Sequence, residues 1–188
     1  ACCVLAAHRL AGCGVELSQS KGAGVTRRVV AALLVFLTTL LLNVSVRADG
    51  ASYLLIISGL GGEDAYRERF HKWALEMQDA ASERLGVSKD DIWYLAEKPD
   101  KDPDRIHAKS TKENVAGILK DLAKRAGRGD QVFILLIGHG SYRSEESRFN
   151  LPGPDITAEE FSALLDSFTT QQVVFVNTAS ASGGFVQA

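Results

Sequence analysis

Residues 49–188 contain no cysteine; the three in the chain are Cys2, Cys3 and Cys13. Disulfides, thiolate metal sites and a cysteine nucleophile are thereby removed from this stretch together. An excess of positive charge is also missing. Five Lys/Arg and one Asp/Glu fall in residues 1–48, which leaves 16 basic against 22 acidic side chains in residues 49–188, a net charge of −6. Nucleic-acid binding draws on a basic face, so no nucleic-acid partner is expected. No run is long enough to span a bilayer either. The most apolar segment, "VVAALLVFLTTLLL" at Val29–Leu42, has 14 residues, against the roughly 20 that a membrane-crossing helix needs. Internal repeats and low-complexity linkers are absent after residue 48.

That apolar segment fits a secretory signal. Arg27 and Arg28 precede it, and "NVSVRA" follows, with Val46 and Ala48 at the small-residue positions of a cleavage site. Cleavage is expected after Ala48. The reading is an upstream extension over 1–24, a signal peptide over 25–48 and one secreted or periplasmic domain over 49–188, with no stable membrane span once the signal is removed. "LAGC" at Leu10–Cys13 has a lipoprotein-like look, but His8 and Arg9 interrupt the apolar stretch such a signal needs. The chain lacks a starting Met and stops a few residues after a predicted strand, and is read as incomplete at its C-terminus.

Within 49–188 the pattern alternates. "SYLLIIS" (52–58) is a short apolar run closed by Gly59, Gly61 and Gly62, and predicts a buried strand. From Asp64 to about Leu85, apolar residues recur at helical spacing until Gly86. "DIWYLAE" predicts a second strand and "KPDKDPDRIHAKS" a charged loop broken by prolines. Thr111 is placed to cap a helix running to Arg125. "QVFILLI" (131–137) is apolar along its length, as in a parallel sheet covered on both faces. Thr157, with Glu160 at the reciprocal position, starts a helix to Phe168. "QQVVFVN" gives a fourth buried strand. The fold expected is a three-layer α/β sandwich with a mainly parallel sheet.

Ligands gather beyond the carboxyl ends of strands in such sheets. "GLGGED" (59–64) has glycines but not the dinucleotide spacing, and Glu63 and Asp64 would repel a phosphate there. "IGHGS" puts His139 between two glycines at a strand end, where a histidine can act as a base and a backbone N–H can serve as an oxyanion donor. "VVFVNTASASGG" (173–184) ends in small residues that let a substrate approach, with Ser180 and Ser182 as candidate nucleophiles. His71 and His107 lack metal-ligand spacing and are read as solvated. No metal and no organic cofactor is expected. The "PDKDPD" loop could hold calcium weakly, but its prolines break the regular ligand spacing. "RGD" at Arg128–Asp130 reads as a polar turn.

"DQVFILLIGHGS" followed by "VVFVNTASASGG" resembles the legumain and caspase group of cysteine peptidases, nearest the legumain type, over about residues 52–184. In that group one strand ends in His-Gly and a nearby strand in Ala-Cys-x-Ser-Gly. The resemblance implies a caspase–hemoglobinase-like fold, proteolysis as the ancestral activity and a peptide or protein as substrate or partner. It further implies His139 as the catalytic histidine, Gly140 as the oxyanion donor, Ser180 in the nucleophile's place, and Ser182 and Gly183 as the family's Ser-Gly. "AYRERF" is similar to the legumain Asn-Tyr-Arg element, which would put Arg67 at the floor of a specificity pocket; the alternative is an ordinary helix arginine. Two positions depart from the family: Ala65 replaces its asparagine, and Ala181 its acidic residue after the cysteine.

Serine for cysteine changes the chemistry. A thiol with a pKa of about 8.5 yields its thiolate with modest help. A serine hydroxyl must pass its proton to a histidine that a third group holds in the right tautomer. The sequence therefore points to a catalytically degenerate peptidase-like domain that acts by binding or scaffolding. An active Ser180–His139 hydrolase and an unrelated α/β binding module are the alternatives. Activity could be rescued only if an acid such as Asp155 or Glu146 reaches His139.

Overall fold

The computed structural model describes residues 50–186; the expected upstream extension and signal peptide lie outside the described residues. Four long strands, β1 (Ser52–Ser58), β2 (Ile92–Ala96), β4 (Gln131–Ile137) and β8 (Gln172–Asn177), run parallel with the two-residue β3 (Ala108–Lys109) in the order β3-β2-β1-β4-β8. β5 (Gly140–Arg143), β6 (Glu146–Phe149) and β7 (Ile156–Thr157) form a small antiparallel sheet. Residues 48–188 make one compact unit.

Helix α1 (Asp64–Arg84) covers one face of the large sheet, burying Phe70, Ala74, Gln78 and Ala81 against Leu54, Ile56 and Tyr94. These positions fall at helical spacing, so one stripe meets the sheet. Gly86, at φ +70°, takes the left-handed conformation just past the helix, where glycine avoids a Cβ penalty. Helices α2 (Lys112–Arg125) and α3 (Ala158–Leu165) cover the other face, where Leu119, Leu122 and Phe161 pack with Leu55, Ile134 and Leu136. Thr111 caps α2, and Thr157 with Glu160 forms a complete capping box on α3. A three-layer α/β sandwich with a mostly parallel sheet results.

Two expectations need correcting, and one element had not been expected. The segment after β4 contains the β5–β6 hairpin, whose turn residues Ser144 and Glu145 both lie at positive φ (52° and 64°). α3 ends at Leu165 instead of Phe168, where the Asp166 N–H bonds the Ser162 carbonyl. β8 is an edge strand with one open face: Val173 and Phe175 pack against the core, whereas Val174 and Val176 are 43% and 46% exposed.

Register positions the ends of the strands. Ser58 pairs with Ile137, and Leu136 with Asn177, so the segments after β1, β4 and β8 leave the sheet at one level. Strand order reverses between β1 and β4, the kind of switch point beside which ligands bind in open sheets.

Candidate functional site

The chain leaves β8 under tight local control. Thr178 N–H and Oγ1 both donate to the Leu136 carbonyl (3.0 and 2.9 Å), and Asn177 Oδ1 accepts from the Ala179 N–H at 3.0 Å. An asparagine binding the backbone two residues on makes its own turn. Ala179 is buried and Ser180 exposed. Ala181 sits at φ +54°, an unusual conformation for alanine.

Beside it, β4 runs through Gly138 and His139 into β5. The His139 carbonyl accepts from the Asn150 N–H at 3.0 Å, and Asn150 in turn accepts from Leu60 N–H at 2.8 Å. With Gly140 paired to Phe149, this bond makes them a non-hydrogen-bonded pair, so the N–H and C=O of Gly140 turn away from β6. The carbonyl accepts the Ser180 hydroxyl at 3.2 Å. The N–H is aimed to that same side. Contact is close: a Cβ at position 140 would stand 2.2 Å from the Ser180 carbonyl oxygen and 2.9 Å from that of Arg148. Gly138 is confined likewise, 2.9 Å from the Phe149 ring at its would-be Cβ.

The imidazole of His139 is half-buried and edge-to-face with two rings of α1: Tyr66 at 4.6 Å and Phe70 at 5.2 Å between centroids. Among the described residues no carboxylate is hydrogen-bonded to it. Asp155 instead accepts from the Leu151 N–H (3.1 Å), and Glu146 holds Arg148 (2.6 Å). The rescue considered for a serine nucleophile therefore finds no partner in either acid. His139 and Ser180 line one groove of about 950 Å³, whose walls are Trp73, Met77 and Leu85 of the α1 side and Phe133, Leu135, Val174 and Val176 of the sheet.

His139, Gly140 and Ser180 are thus brought together, and Arg67 is not among them. Its guanidinium binds Asp64, the Gly62 carbonyl (2.9 Å) and Glu97 (3.5 Å). It lines a separate cavity of about 200 Å³ with Ser58, His71 and Tyr94. Arg67 follows Tyr66 by one residue, about 100° round the helix, which turns it toward β2 and away from His139. The Arg67 hydrogen bond and charge hold the Asp64 carboxyl below its usual range. Ser182 lies half-buried in the turn Ser182–Val186.

The glycines after β1 serve packing. A Cβ on Gly59 would meet the Asn150 carbonyl at 2.5 Å, and the Gly61 N–H is already taken by the Glu97 carboxylate at 2.9 Å. The "RGD" segment is a turn: Asp130 accepts from the Ala51 and Gly127 N–H groups. His71, expected in solvent, is partly buried, whereas His107 is exposed as expected. His71 lies between Asp102 (3.5 Å) and the Tyr94 hydroxyl (3.3 Å), and His107 Nδ1 accepts from the Tyr94 N–H at 3.3 Å. Burial lowers the pKa of both. It also raises that of the fully buried Tyr94.

No protein-family model matches the chain, and no curated protein matches it. Among the described residues no group of three His, Cys, Asp or Glu side chains is placed to share a metal ion. No described helix is long and apolar enough to cross a membrane.

The sequence reading missed Tyr66, Phe70 and Asn150. Tyr66 and Phe70 carried a signal, an aromatic pair four residues apart at the start of the helix after β1. Asn150 had none, because its role is made by backbone atoms.

Proposed function

We propose that residues 49–188 form a secreted domain of the legumain/caspase type that has lost its peptidase chemistry and binds a peptide or protein through the groove beside His139. One observation carries the reading: the Ser180 hydroxyl donates to the Gly140 carbonyl. Its proton goes to a backbone acceptor, and among the described residues the His139 imidazole has no hydrogen-bonded acid. A serine nucleophile needs the opposite, with its proton on the imidazole and the imidazole held by a third group. The apolar groove leading to the site remains available to side chains of a bound chain.

A second reading, an active hydrolase using Ser180 and His139, is favoured by the Gly140 N–H. Free of the β5–β6 ladder, on the strand edge whose carbonyl meets the Ser180 hydroxyl, it supports the role of an oxyanion donor.

A serine-directed fluorophosphonate separates the two. The degenerate domain stays unlabelled, like Ser180→Ala and His139→Ala. Labelling of the parent that both substitutions abolish would establish the hydrolase instead.

A further inference from the structure

We infer that Tyr66, with Phe70 behind it, is the positioning residue for His139: two aromatic rings hold the imidazole where a triad would use a hydrogen-bonding side chain. The inference rests on the reading of His139 and Ser180 as one site.

Imidazole orientation has to come from somewhere. Gly138 and Gly140 flank His139 in sequence and offer no side chain to brace it. Asp155 and Glu146, the acids considered for that task, are bound elsewhere. What touches the ring is aromatic on α1. Tyr66 and Phe70 lie four residues apart, hence on one face of the helix, and their planes stand at 79° and 65° to the imidazole. Edge-to-face geometry is the preferred arrangement of such rings, because the positive edge of one meets the negative face of another. Two rings on adjoining turns limit rotation of the imidazole about its side-chain bonds and leave its remaining side toward the groove that Ser180 shares. Phe70 is buried in the core, whereas Tyr66 is 38% exposed. Tyr66 can therefore be changed with little effect on folding. The Arg69 guanidinium lies 5.5 Å from the outer Tyr66 ring, which braces that ring in turn.

The positioning is read through a thiol at the nucleophile's place. Residues 48–188 form a compact unit without cysteine, so Ser180→Cys introduces a single reactive group whose iodoacetamide rate at neutral pH reports help from the imidazole. In that background His139→Ala is expected to slow alkylation. Tyr66→Leu is expected to slow it three- to tenfold, the range that one aromatic contact is worth, while Tyr66→Phe keeps the parental rate because it keeps the ring. The ring-proton resonances of His139 should also shift in Tyr66→Leu and stay in place in Tyr66→Phe. If His139→Ala changes the rate but Tyr66→Leu does not, the positioning role is overturned and the paired site survives. If Tyr66→Phe falls as far as Tyr66→Leu, the hydroxyl and not the ring is responsible, and the inference fails. If His139→Ala leaves the rate untouched, the paired site itself is refuted and the positioning role goes with it.

Discussion

Gly140 is where several demands meet on a single residue. Its carbonyl receives the Ser180 hydroxyl, its N–H leaves the strand ladder, and its missing Cβ admits the 179–181 segment. Both groups that a methyl would strike are backbone carbonyls, at 2.2 and 2.9 Å, which cannot swing aside. Gly140→Ala is expected to cost about 1–3 kcal/mol, the usual range for overpacking, measured as a lower urea midpoint with an unchanged slope. The glycines around His139 were legible in the sequence as an opening for backbone approach. Their tight fit against Phe149 and Ser180 was not, because those partners lie 11 and 40 residues away. The positive φ of Ala181 was equally hidden, since alanine gives no sign of a left-handed conformation.

Elements divide by whether they make their own signal. The capping box of α3 was written in Thr157 and Glu160, and the structure closes both of its bonds, Thr157 N–H to Glu160 Oε2 at 2.9 Å and Glu160 N–H to Thr157 Oγ1 at 3.1 Å. Thr157→Ala should lose about 1 kcal/mol of stability, seen as a fall in Tm. The β5–β6 hairpin gave no such sign. Its two-residue turn needs positive φ at both positions, for which Asn-Gly is the usual choice, and Ser144-Glu145 does not announce it. β3 and β7, two residues each, exist only through their pairing with β2 and β6. The apolar run of β8 read as buried on both faces because composition does not distinguish a central strand from an edge strand that borders a groove.

At the scale of the whole molecule, histidines against the sheet tie stability to pH. His71 on α1 meets Tyr94 on β2 and Asp102 in the following loop, so helix, sheet and loop share one polar contact. Burial lowers the pKa of His71 and of His107 from the model-compound value of 6.5. The unfolded chain therefore binds protons first as pH falls. Stability is fully present above about pH 6.5 and declines below it, until the folded pKa values are passed. The depressed carboxyls of Glu68 and Glu160, held by Lys101 and Lys112, act in a lower window, below their ordinary value of 4.5. Tm of residues 48–188 should thus fall between pH 7 and pH 5, and His71→Gln should flatten the decline. An equally steep decline in that variant would remove His71 from the account.

Local chemistry determined the parts of this protein: apolar runs made the long strands, helical spacing made α1 and α2, and caps set where α2 and α3 begin. Charge, the absence of cysteine after residue 13, and glycines around His139 likewise needed nothing beyond the chain itself. Pairing decided the rest. Strand order and register brought Gly140 against Ser180 across forty residues and turned Arg67 into a different cavity. They also set two aromatic rings of α1 on the imidazole. Contacts between distant segments depend on how layers stack, and no window of sequence contains both sides of such a contact.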